Sequence, residues 1–192
     1  MFERALVRAG IALSYSQGFN PRPRMSLPLP RSVGTLSDDE ILCAYVRDGL
    51  DERDIGEEIS SEFPDGCRVK RASVETGKVK IHPKSANYEI AVRDSAMDED
   101  FFSRFSAVEK AAGGREPLIV KRLSGKKKPV RQVDVSGYIN SIKIENNMVL
   151  ITCLITNSGS VRLDEISGLL GLETEDLAGP VKRTSVQWSR AG

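Results

Sequence analysis

The strongest constraint on this chain is a run of alternating side chains that doubles back at two asparagines. Ile142 and Ile144 alternate with polar residues, Asn146-Asn147 follow, and Val149, Ile151, Cys153 and Ile155 alternate back. Period-two alternation predicts strands with one apolar face, and asparagine tolerates the positive φ that a two-residue turn demands. Such a hairpin must lay its apolar face on something, and the flanking residues supply it. Tyr88, Ile90 and Val92 alternate as another strand. Asp98–Ala112 reads as a helix with acids in its first turn, Phe101, Phe105 and Val108 on one face, and Gly113-Gly114 as its stop. Leu118–Val120 is a short apolar strand. Ser160 is placed to cap a helix carrying Leu163, Ile166 and Leu170 up to Gly171, and Val181–Trp188 is the last strand. The order over residues 87–192 is therefore β-α-β, hairpin, α-β. That is the split βαβ, ferredoxin-like plan with one extra strand.

The first 75 residues read as a shortened version of the same plan. Residues 1–9 predict a helix with Phe2, Ala5, Leu6 and Ala9 on one face and Gly10 at its end. A Gly- and Pro-rich stretch over 17–34 holds a short strand around Met25–Leu29. Ile41–Val46 is a continuous apolar run, expected of a strand buried on both faces. Asp51 is placed to cap a helix with Ile55, Ile59 and Phe63, closed by Pro64, and Arg68–Val74 is a further strand. The expectation is an α+β fold of two ferredoxin-like modules, residues 1–75 and 87–192, joined by a polar, basic linker over 76–86. The first module lacks its initial strand, which would leave sheet edges open. Either the natural reading frame starts upstream of Met1, or this half borrows a strand.

Composition narrows the setting but not the activity. No apolar run approaches the ~20 residues of a membrane helix, and no secretory leader is visible. Cys43, Cys67 and Cys153 are scattered, which suits a reducing cytoplasm. The net charge of +1 conceals blocks of opposite sign. Residues 1–35 hold five arginines against one glutamate, and residues 36–65 hold eleven acids against two arginines. Residues 118–143 are basic again. Acids on exposed helix faces would explain the pattern; so would basic blocks converging on phosphate.

Few residues suit catalysis. Iron–sulfur clusters need closely spaced thiolates, and these cysteines are far apart, two of them inside apolar strand patterns. His82 is the single histidine and lies beside Pro83, so neither zinc spacing nor a nucleophilic triad is offered. Asp38/Asp39 and Glu57/Glu58 are adjacent acids in a block expected to be solvated. Asp134, next to the basic run Lys126, Lys127, Lys128 and Arg131, is the one acid placed for acid catalysis on RNA. The 15–24 stretch carries more. Gly18 allows close backbone approach, while Pro21 and Pro23 stiffen the chain and hold Arg22 out of helix. Arg22 and Arg24, two apart on extended backbone, project to one side and suit phosphate or carboxylate. Tyr15 and Phe19 could stack on bases, with Gln17 and Asn20 beside them.

The string Tyr15-Ser16-Gln17-Gly18-Phe19-Asn20-Pro21-Arg22-Pro23-Arg24, after Arg4-Ala5-Leu6 and Arg8-Ala9-Gly10, resembles the signature of a bacterial family. Its members are encoded beside, or fused to, a radical SAM protein. Gly125–Arg131 with Val133-Asp134-Val135 and Tyr138-Ile139, Gly159-Ser160-Val161-Arg162, and Arg183-Thr184 resemble that family too. Members usually begin with an extra strand and a Ser-His-Leu-Asp segment that this chain lacks. The resemblance implies a radical SAM partner and no cofactor of the chain's own. The expected role is a non-catalytic recognition or adaptor protein for RNA or another phosphate-bearing substrate. Tyr15, Gln17, Gly18, Phe19, Asn20, Arg22 and Arg24 would make the main contact, with Lys126–Lys128, Arg131 and Asp134 as an auxiliary one. The alternatives are an RNA-modifying enzyme using an aspartate, and a pure protein-interaction module.

Overall fold

The computed structural model describes residues 1–47, 55–123 and 130–191. It is mixed α+β, with helices α1 (Phe2–Arg8), α2 (Ile55–Ser61), α3 (Glu99–Ala111) and α4 (Leu163–Leu170). The strands are β1 (Met25–Ser26), β2 (Leu36–Ser37), β3 (Cys43–Ala44), β4 (Lys80–Ala91), β5 (Ile119–Leu123), β6 (Val130–Asp134), β7 (Ile139–Glu145), β8 (Met148–Leu154) and β9 (Lys182–Ala191). Two compact units emerge. One comprises Met1–Pro28, Ile41–Lys80 and Arg190–Gly192, and the other Leu29–Glu40 and Ile81–Ser189.

The second unit is built on a five-stranded sheet in the order β2-β9-β4-β8-β7. The asparagine turn forms as expected: Asn146 and Asn147 take φ of 48° and 61°. It sets Ile142 opposite Ile151 and Ile144 opposite Val149 in the antiparallel β7–β8 pair. β8 also pairs antiparallel with β4, and β2 runs parallel to β9. Ile90, Ile139, Ile142, Val149, Ile151 and Cys153 from the sheet meet Phe101, Phe105 and Val108 of α3 and Ile166 and Leu170 of α4 in one core. α3 starts where its acids suggest, because the Asp98 carboxylate accepts the Phe101 N–H at 2.9 Å. α4 starts later than Ser160. Its cap is Arg162, whose N–H donates to the Glu165 carboxylate at 2.9 Å, and the Ser160 carbonyl is taken by Arg122. Gly171 ends α4 in the left-handed region, φ 71°, where a side chain would be strained.

Two expectations for this half need correction. Most of the stretch read as a linker, residues 80–86 of 76–86, is strand, since β4 begins at Lys80. Pro83 argues against a central strand, yet β8 is in register only with Ser85–Ala91, so the proline occupies a part of β4 outside that ladder. The single strand expected at Leu118–Val120 is one arm of a ribbon. β5 pairs antiparallel with β6 from Ile119↔Asp134 to Leu123↔Val130.

The first unit is smaller. Leu6, Ile11, Leu13, Ile55 and Ile59 form its core, with Phe63 and Val46 packed against it. Helix α1 and its Gly10 stop are as expected, and the Asp51 cap lies outside the described residues. Ile41–Val46 is not a doubly buried strand. Only Cys43–Ala44 forms a strand, paired with β1 and half-buried, while Val46 makes an isolated bridge to Leu13. Arg68–Val74 forms no strand; Ser60 Oγ accepts the Val69 N–H at 2.8 Å instead. Within this unit the order is α1-β1-β3-α2, while β2 belongs to the other unit.

Candidate functional site

The 15–24 stretch folds as a narrow hairpin whose shape follows from its prolines. Ser16 N–H donates to the Arg22 carbonyl and Arg24 N–H to the Ser14 carbonyl, each at 2.8 Å. These bonds flank the Tyr15–Pro23 pair, which exchanges none, so the ladder does not need the N–H that Pro23 lacks. The Arg22 N–H finds Ser16 Oγ at 3.0 Å. At the tip Gly18 takes φ 128°, which favours glycine. The base is fixed to the segment leading from β3: Ser14 N–H donates to the Tyr45 carbonyl at 2.8 Å and Tyr45 N–H to the Arg24 carbonyl at 2.9 Å. Leu13 bridges Val46 and is buried in the core of this unit.

Everything above that base is in water. Tyr15, Gln17, Gly18, Phe19, Asn20, Arg22 and Arg24 are all exposed, and Phe19 is fully so at 106%. Tyr15 and Phe19 are therefore not core plugs. The two arginines differ. Arg24 sits 4.4 Å from the centre of the Tyr45 ring, a cation–π contact worth about 0.5–1 kcal/mol at an exposed site. The Arg22 guanidinium has no carboxylate and no ring partner among the described residues. Tyr45 and Ser16 are members of this site that sequence reasoning missed. Tyr45 lies inside the apolar run read as buried strand, and a serine in a loop carries no distinguishing pattern.

Of the auxiliary group, Arg131 and Asp134 are described. Lys126, Lys127 and Lys128 lie outside the described residues. Arg131 is exposed on β6, opposite Arg122 in the ladder. Asp134 is engaged as an acceptor: its Oδ1 takes the N–H groups of Leu118 and Ser136, each at 3.0 Å. The Ser136 N–H and hydroxyl, then the Leu118 N–H, hold this carboxyl below the usual range. Asp134 thus fastens the base of the ribbon.

Several other charged groups of the second unit are tied into its structure. Arg122 donates from Nε and Nη2 to the two Glu165 oxygens at 2.6 and 2.8 Å, and from Nη2 to the Ser160 carbonyl at 2.7 Å. Asp38 and Asp39, expected in solvent, face β9: Asp38 pairs with Lys182, and Asp39 accepts the Val186 N–H and the Trp188 indole N–H. In the family-like segments, the Ser160 carbonyl and the Arg162 N–H are held by Arg122 and Glu165, and Arg183 is buried. Burial raises the Cys153 thiol to about 12, in keeping with an inert core cysteine. A cavity of about 560 Å³ is lined by Val33, Arg93, Leu163, Ser167, Leu177 and Pro180 among others, and none of the hairpin residues borders it.

No group of histidine, cysteine, aspartate and glutamate suited to a metal occurs among the described residues, and no helix there is long and apolar enough to cross a membrane. No curated protein and no solved structure matches the chain. A family model does match, over residues 1–163, a span holding both the 15–24 hairpin and the β5–β6 ribbon. The chain belongs to that family, described as an uncharacterized protein conserved in bacteria (DUF2344).

Proposed function

We propose that this protein is a non-catalytic recognition module whose 15–24 hairpin holds single-stranded RNA, or another phosphate-bearing substrate, for a radical SAM partner. The observation that carries the reading is the state of the hairpin's tip. A proline-braced turn displays Arg22 with no carboxylate partner among the described residues and Phe19 fully exposed. An arginine fork suits phosphate, and an aromatic ring in water suits an unstacked base. Tyr15, Gln17 and Asn20 add a second ring and two amides on the same turn. The radical SAM partner comes from the family resemblance alone. The fold reading deepens accordingly: β4-α3-β7-β8-α4-β9, with sheet order β9-β4-β8-β7, supports a split βαβ module to which β2 and the β5–β6 ribbon are additions.

A labelled single-stranded RNA titrated into the full chain tests the reading. Affinity should fall as salt rises, and Arg22→Ala should weaken binding and lower the salt slope by about one contact. Phe19→Ala should remove about 1–3 kcal/mol if the ring stacks on a base. Absence of binding, or equal binding by both variants, overturns the proposal.

A further inference from the structure

The β5–β6 ribbon presents a second surface. Its register sets Ile119 opposite Asp134, Lys121 opposite Gln132 and Leu123 opposite Val130, and alternation puts these six on one face. The other face is anchored: Val120 is buried, Val133 packs on the core, and Arg122 is fixed to Glu165. The first face is bare, with Ile119 51%, Leu123 75% and Val130 54% exposed. Neither edge of the ribbon pairs with another strand among the described residues. Unpaired edges invite an added strand, and proteins normally blunt them. Here the blunting is slight. Lys121 and Arg131 are exposed cations with no ion pair among the described residues.

We propose that this ribbon docks an extended, acidic segment of a partner polypeptide by strand addition. The added strand takes up the free N–H and C=O groups of one edge, lays aliphatic side chains beside Ile119, Leu123 and Val130, and turns its carboxylates to the opposite face, where Arg131 stands. Charge selects the sign of the partner, and the aliphatic face selects its class. The ribbon's bare face has no aromatic ring on which a base could stack, whereas three aliphatic side chains gain by covering with apolar groups.

The probe is a fluorescein-labelled peptide of about ten residues alternating valine and glutamate, long enough to span the ribbon. Binding to the full chain should saturate by anisotropy and protect ribbon amides from hydrogen exchange. Leu123→Ser with Val130→Ser should weaken it at least about tenfold, a loss of ~1.4 kcal/mol. Arg131→Glu, which keeps the aliphatic face, should weaken it severalfold and more at low salt. Arg22→Ala should leave it unchanged, which separates this surface from the hairpin. No saturable binding, binding indifferent to both ribbon variants, or ribbon-dependent capture of a short single-stranded RNA in place of the peptide overturns the proposal.

Discussion

Glu165 shows how a single carboxylate can tie two elements together. Its side chain is 7% exposed against 19% for Arg122, and it joins β5 to α4 while capping the Arg162 N–H. Burial pushes its carboxyl upward. The Arg122 hydrogen bonds, the Arg162 N–H and the charges of both arginines outweigh that, so the folded-state pKa lies below the usual value. The sign follows from linkage: the stabilisation is present above the ordinary glutamate pKa and is lost as pH falls through the depressed one. Glu165→Ala strands the Arg122 charge and uncaps the helix, and should cost about 3 kcal/mol. Urea unfolding should show that deficit near neutrality and a smaller one in acid, where the native chain has lost the same interaction. An equal deficit at both pH values would mean the carboxylate acts through packing alone. Nothing in the spacing of residues 122 and 165 announces this pair, because sequence shows which residues are charged and not which of them meet.

Among elements, the β7–β8 hairpin was the most legible, and its turn is where its stability can be tested. Asn146 and Asn147 both occupy the left-handed region, which β-branched residues avoid. Asn147 also donates to the Asp94 carboxylate. Asn146→Val should cost about 1–2 kcal/mol and Asn147→Val somewhat more, read as lowered Tm with an unchanged far-ultraviolet spectrum. Equal stability of either variant would show that the turn relaxes to another type. Legibility elsewhere tracked how much of an element's partner lay nearby in sequence. Helix α3 was readable because its cap, its apolar face and its glycine stop are all local. β4 was misread over 80–85 because Pro83 and the polar Lys80, His82 and Lys84 obey a strand's alternation without its usual composition. The β6 arm was missed because Val130–Asp134 holds only two apolar residues and is half of a ribbon whose other half carries the apolar signal. In the hairpin at 15–24, the residue types and the stiffness were visible. That Arg24 would turn onto Tyr45 was not, since the ring lies in a separate stretch of chain.

At the scale of the whole molecule, the acidic block divides: Glu57 and Glu58 stand exposed on α2, while Asp38, Asp39 and Glu40 enter internal ties. Segment 29–40 belongs to the second unit, and its acidic end is spent on β9. Glu40 Oε1 lies 2.7 Å from Arg31 and 3.0 Å from Arg183, and Arg183, only 2% exposed, also donates to Ser37 Oγ. The tie spans 143 residues of sequence, so it closes a long loop and its worth cannot be supplied locally. A buried arginine with one carboxylate is a conditional asset: the pair offsets its own desolvation, and either partner alone does not. Glu40→Ala should therefore cost about 3 kcal/mol, because the Arg183 charge stays buried with neutral hydroxyls, those of Ser37 and Tyr88, beside it and no carboxylate. Removing that charge as well, in Glu40→Ala with Arg183→Met, should recover part of the loss, since an apolar side chain of similar reach suits the site. Denaturant unfolding of both single variants and the double variant closes the cycle, and the coupling should exceed about 1 kcal/mol. Additive losses would show that β2 is held by its ladder and by Asp39 on Val186 and Trp188, with the buried arginine contributing nothing to the join.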